Sequence, residues 1–177
     1  EMDVNVSKRD LWETYLPAFR ACVVEAGAFS VMGAYNRMDG QPCCAHELLM
    51  DEILREEWGF EGYYVSDCGA LNDFHANHGV TRTAAESAAL ALKRGCDLNC
   101  GCVYTHLMTA LRQELITEKD LDTCLRRLIV ARLRLGMFDP PERVPYSRIS
   151  YEVVDSPDNR RLALDAARSA VVLLKNS

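Results

Sequence analysis

Gly59-Phe60-Glu61-Gly62-Tyr63-Tyr64-Val65-Ser66-Asp67-Cys68-Gly69-Ala70-Leu71 is the stretch on which the reading of this chain turns. Two glycines open it, as a turn with positive φ requires. Tyr63, Tyr64 and Val65 form a short unbroken run of strand formers, the pattern of a strand covered on both faces. The run ends on a carboxylate, Asp67, followed by small and polar residues. The C-terminal tip of a buried parallel strand is where α/β folds place their chemistry. Ser and Asp at such a point also serve as helix or turn caps, and the stretch alone leaves both readings open.

The flanking sequence repeats the pattern. Upstream, Phe29 to Asn36 reads as a strand, Arg37 to Cys44 as a loop turning at Asp39-Gly40, and His46 to Trp58 as a helix. In that helix Leu48, Leu49, Ile53 and Leu54 face inward, and Asp51 and Arg55 are expected to form an exposed i,i+4 pair. Downstream, a loop is expected to run to Arg82. Thr83 with Glu86 then caps an alanine-rich helix ended by Gly95, and Cys96-Asp97-Leu98 forms a third short strand. The strand tips Tyr35, Asp67 and Asn99 recur every 32 residues. Strand and helix alternating at about 30 residues is the βα unit of a parallel sheet. Right-handed crossovers then put all three tips on one rim.

Before the first strand, Trp12, Tyr15, Leu16, Phe19, Cys22, Val23 and Ala26 follow helical spacing. Pro17 predicts a break near Leu16 and a fresh helix from Pro17 to Gly27. After the third strand, a helix is expected from Val103 to Glu114. A second begins at the Thr117/Asp120 capping box and ends at Gly136. Phe138-Asp139-Pro140-Pro141 breaks the pattern. Ser156-Pro157 then starts a last helix leading to a strand-like run at 171–174. The fold class expected is α/β. Three parallel strands are few for a doubly covered core, and a (β/α)8 barrel with its other units upstream completes them. The expected organisation is residues 1–138 as the C-terminal part of that barrel, 139–155 as linker, and 156–177 as the start of a second α/β sandwich domain.

Composition narrows the classes. The chain has 177 residues, 49% hydrophobic and 26% charged, which suits a globular domain. A net charge of −6 argues against a nucleic-acid partner. No apolar run reaches the roughly 18 residues of a membrane span. Eight cysteines are present, and with so large an apolar fraction the chain has no need of a disulfide framework. Reduced thiols and a cytoplasmic setting are therefore expected.

Several motifs in order resemble glycoside hydrolase family 3. They are Val31-Met32-Gly33-Ala34-Tyr35-Asn36, Asp39-Gly40-Gln41-Pro42, the run from Leu54 to Gly62, Val65-Ser66-Asp67, and the run from Leu162 to Asn176. The resemblance implies a retaining, exo-acting β-glycosidase with no cofactor or metal, and a carbohydrate as its partner. It implies Asp67 as the catalytic nucleophile, Tyr35 as the tyrosine beside it, and Cys68 as a substrate contact. It also implies that a Lys-His substrate-binding pair precedes Glu1 and that the acid/base glutamate follows Ser177. A retaining glycosidase needs two carboxyl groups about 5 Å apart, one attacking and one protonating the leaving oxygen. A tyrosine hydroxyl is the kind of donor that keeps the attacking carboxylate ionised.

Ser66-Asp67-Cys68 with Asp97-Leu98-Asn99-Cys100-Gly101 is more similar to the family's β-xylosidase branch than to its β-glucosidases, many of which carry tryptophan after the nucleophile. Cys68 is too small to fill that space and is expected to let other side chains in. A β-glucosidase is the alternative. A further alternative is a non-catalytic metal-binding or interaction fragment, because Cys96, Cys100, Cys102 and His106 have zinc-ligand chemistry, although their spacing matches none of the usual patterns. His75 and His78 are expected to be solvated rather than to touch substrate. Asp97 either lines the pocket or bonds backbone amides.

Overall fold

In a computed structural model that describes residues 2–176, the chain divides into two units, Glu1–Leu135 and Gly136–Ser177. The first unit is α/β, and its centre is a parallel sheet. Strand β2 (Ser30–Gly33) pairs with β5 (Tyr63–Ser66) in the register Ser30↔Tyr63 to Gly33↔Ser66. A parallel bridge between Val65 and Leu98 adds the third expected strand, shortened to a single rung. The three C-terminal ends share one edge, as the 32-residue spacing predicts.

A second small sheet lay outside the sequence reading. Strand β1 (Asp3–Val4) runs parallel to β3 (Arg37–Met38), which turns back into β4 (Gln41–Pro42). Asp39 and Gly40, with φ of 49° and 82°, form the tight hairpin turn. The expected loop is thus a hairpin whose strands are too short to show a period.

The helices agree in place and differ in detail. Helix α1 (8–25) does not break at Pro17. Its turn before the proline is widened, so that the Leu16 amide bonds back to Leu11 five residues earlier. The wide turn makes room for a ring that carries no N–H and would clash with a regular turn. Helix α2 (Leu48–Glu57) is wound in the same wide fashion. His46 begins it: its Nδ1 accepts from the Leu49 amide at 3.4 Å, and its Nε2 meets the Met38 carbonyl at 3.1 Å.

Helix α3 (Ala70–Ala76) replaces the loop expected after Asp67. Helix α4 (Ala84–Lys93) starts at Thr83, whose hydroxyl accepts from the Glu86 amide. The return bond of that box goes to the Arg82 amide instead of Thr83. Helices α5 (Leu107–Arg112) and α6 (Glu118–Arg134) follow, and the Thr117/Asp120 box is complete. Val23, Met50, Leu54, Phe60, Tyr64, Leu71, Phe74, Ala88 and Ala91 make the main core between sheet and helices.

In the second unit three short helical turns, Pro141–Arg143, Pro145–Arg148 and Tyr151–Val153, precede helix α7 (Pro157–Ala170), capped by Ser156. Residues 171–176 form no strand. A strand needs a partner to satisfy its backbone, and the described residues supply none there. Among the described residues, no helix is long and apolar enough to cross a membrane.

Candidate active site

Asp67 stands one residue past the end of β5, half-exposed on the rim. Its amide continues the sheet by donating to the Gly33 carbonyl at 3.0 Å. Its carboxylate Oδ1 accepts from the next amide, Cys68 N, at 2.6 Å. Oδ2 receives no hydrogen bond from the described residues. Gly69, at φ 84°, then turns the chain into α3. Beneath the rim Gly33 is a forced choice. A Cβ there would lie 2.6 Å from both Cys44 Sγ and the Tyr64 hydroxyl.

Tyr35 is brought to the same rim, and its hydroxyl donates to the Cys68 carbonyl rather than to the Asp67 carboxylate. This corrects the expected partner. The phenol titrates above its ordinary value, first because it is partly desolvated and then because the Asp67 and Asp73 carboxylates oppose its ionisation.

Cys68 is joined to Cys100 in a disulfide, with a Cα–Cα distance of 4.4 Å. The expectation of all-reduced thiols is therefore wrong. Two strand tips one register step apart hold these cysteines at bridging distance, which a linear reading of spacings cannot reveal. Cys22, Cys43, Cys44, Cys96, Cys102 and Cys124 are free. The grouping of Cys96, Cys100, Cys102 and His106 also dissolves, since Cys100 is oxidised and the buried Cys96 thiol donates to the Leu98 carbonyl.

Asp97 takes the second of its two expected roles, bonding a backbone amide instead of lining the pocket. Its side chain is fully buried at the opposite end of the sheet from the rim. Arg55 and the Tyr64 amide bond Oδ2 at 3.0 and 2.8 Å, and Arg127 bonds Oδ1 at 2.9 Å. Arg55 is thus no partner of Asp51, which pairs with Arg94 instead. Of the two histidines expected to be solvated, His75 is half-buried and His78 is not solvated. His75 Nδ1 meets the Ser87 hydroxyl at 2.9 Å, and His78 is buried with its ring stacked near Phe74.

Sequence reasoning placed Asn99 on the rim beside Asp67 but missed its bond to Ser66. The buried Ser66 hydroxyl accepts from Asn99 Nδ2 at 3.1 Å and from the Cys100 amide at 3.0 Å. The one available signal was their matching place at successive strand tips. A cleft of about 480 Å³ lies elsewhere. It is almost wholly apolar, lies along α1 and β2 between Leu16, Phe19, Val31, Met32 and Trp58, and includes neither Asp67 nor Tyr35.

Residues 2–131 match the glycosyl hydrolase family 3 N-terminal domain. The chain belongs to glycosyl hydrolase family 3. Within the family it is 46% identical over 180 residues to an Aspergillus clavatus protein named "Probable exo-1,4-beta-xylosidase bxlB", covering 99% of this chain and 23% of that relative. The solved family 3 exo-beta-xylosidase XlnD, in complex with a xylobiose aziridine probe, superposes with a TM-score of 0.90 at 32% identity, over 99% of this chain and 23% of that one. A beta-glucosidase from Listeria innocua superposes at 0.84 with 32% identity, over 99% and 24%. The chain therefore spans less than a quarter of the length of these family 3 relatives.

Proposed function

We propose that this chain is part of the catalytic machinery of a retaining exo-acting β-glycosidase, with Asp67 as its nucleophile. The observation that carries this is the Asp67 carboxylate at a parallel strand tip, with Oδ1 held by the Cys68 amide and Oδ2 receiving no hydrogen bond among the described residues. In the proposed reaction Oδ2 attacks the anomeric carbon, and the glycosidic C–O bond breaks. The leaving oxygen takes a proton from an acid beyond this chain. Water, deprotonated by the same group, then displaces Asp67 and restores the carboxylate. The carbohydrate substrate needs no cofactor for these steps. The domain reading is retained as a proposal: 1–138 as barrel units, 139–155 as linker, and 156–177 as the start of a sandwich domain.

Xylose is the proposed terminal sugar, with glucose as the alternative. Cys68 acts here not as a small residue but as half of a disulfide. The bridged sulfurs add rigid bulk beside Asp67, and a sugar without a hydroxymethyl group asks for less room. Such a contact is worth roughly 1–3 kcal/mol, or ~10–200-fold in kcat/KM. The bridge also favours an oxidising compartment over the cytoplasmic one expected from composition.

The test uses the full-length enzyme. A fluorosugar that traps the glycosyl-enzyme should label Asp67, and Asp67→Ala should lose activity by several orders of magnitude with partial rescue by azide. Labelling of Asp73 or Asp97 would overturn the assignment. A glucoside preference of about tenfold or more in kcat/KM would overturn the sugar.

A further inference from the structure

The Asp67 carboxylate is oriented through the turn that follows it, because Oδ1 is tied to the Cys68 amide. That turn is in turn held from two sides. Tyr35 donates to the Cys68 carbonyl, and the next amide, Gly69 N, donates to the Cys100 carbonyl at 2.6 Å. The Cys68–Gly69 peptide is therefore suspended between the neighbouring strand tips, and its tilt follows the position of Cys100.

We propose that Asn99 is a positioning residue for the Asp67 nucleophile, acting through the Ser66 hydroxyl and the Cys100 backbone; the inference rests on the reading of Asp67 given above. Asn99 is fixed at both ends of its amide. The Tyr104 N–H can only donate, so Asn99 Oδ1 faces it at 3.2 Å. Nδ2 is then committed to Ser66 Oγ at 3.1 Å. Ser66 is 1% exposed, immediately precedes Asp67, and takes a second bond from the Cys100 amide. The Asn99 side chain thus joins the residue before the nucleophile to the start of the next helical turn, and the Cys100 backbone carries the link from Ser66 to the turn after the nucleophile. The Cys68–Cys100 bridge links the same tips covalently, but a side-chain cross-link leaves the peptide planes free to rotate. The hydrogen bonds set that rotation.

The experiment separates positioning from folding. In the full-length enzyme, the trapping fluorosugar first counts active sites and, by peptide mass, reports the labelled residue. The rate constant for forming the glycosyl-enzyme is then measured per titrated site. Asn99→Ala is expected to lower this constant about tenfold or more, since small misplacements of reacting groups have effects of that size. Ser66→Ala should do the same, and the double variant should be within about twofold of the slower single, because both remove one shared bond. A merely structural Asn99 would change the number of titrated sites and not the rate per site. An unchanged rate per site with the label on Asp67 overturns the positioning role alone. A label on another carboxylate overturns the nucleophile assignment and this inference with it. If Asn99→Ala leaves no titratable sites, Ser66→Ala decides; loss of all sites in both assigns the pair a structural role and overturns the proposal.

Discussion

Arg55 and Asp97 stand 42 residues apart in sequence and meet at 3.0 Å beneath the sheet, where the Asp97 side chain is fully buried. Arg55 also donates to the carbonyls of Phe60 and Gly62 at 2.8 and 2.7 Å, so one guanidinium ties α2, the turn before β5 and the third strand together. Arg127 brings α6 to the same carboxylate. Removing the acid would strand two guanidinium groups in a largely dry site. Asp97→Ala should cost about 3–5 kcal/mol, read by denaturant unfolding of the full-length enzyme. A cost below about 1 kcal/mol would mean that the cluster relaxes into water.

Gly33 is expected to tolerate no side chain. The methyl of Gly33→Ala would meet Cys44 Sγ and the Tyr64 hydroxyl, both in the packed core below Asp67. Overpacking of this kind costs about 1–3 kcal/mol and displaces backbone. The Asp67 amide bonds the Gly33 carbonyl, so activity should fall with stability. Adding Cys44→Ala should restore only part of both, because Tyr64 still blocks the site. Full recovery in the double variant would show that the clash with Cys44 is the only one that matters.

Thiol chemistry should sort the cysteines by burial. Desolvation pushes Cys44 and Cys124 up to about 12 and raises Cys96 as well. Cys22 and Cys102 are exposed. Alkylation of the native protein at pH 8 should modify Cys22 and Cys102 and spare the buried three. Cys68 and Cys100 should react only after reduction. Closing a 32-residue loop, their bridge is worth about 3–4 kcal/mol in the chain-entropy account. Alkylation of Cys68 or Cys100 without a reductant would refute the pairing.

His46 should make stability depend on pH. Burial holds its imidazole below the ordinary 6.5, against the upward pull of the Met38 carbonyl and of Asp39, Glu47 and Glu52. The unfolded chain therefore binds a proton at a higher pH than the folded one. Stability from this residue is complete above about 6.5 and declines as the pH falls below it. His46→Gln should flatten the difference in unfolding free energy between pH 7 and pH 5 relative to the parent. An identical slope in both would assign the dependence to other groups.

Much of this molecule was legible along the chain because the signals are local. The tips at Tyr35, Asp67 and Asn99 follow from strand formers spaced by one βα unit. Thr83, Thr117 and Ser156 announced helix starts through bonds to amides three residues on, and Gly27, Gly95 and Gly136 ended helices at φ near 70–80°. The position of the candidate nucleophile at the end of β5 needed no tertiary knowledge. What only the folded chain decided is partner choice. Arg55 had an adequate carboxylate one turn away in Asp51, yet it bonds Asp97, since a buried charge gains far more from an arginine than an exposed pair does. Cys68 found Cys100, and Ser66 found Asn99, because parallel register sets neighbouring strand tips side by side. Register is set by how whole strands pair and which face they bury, so it is a property of the assembled sheet and not of any segment read alone.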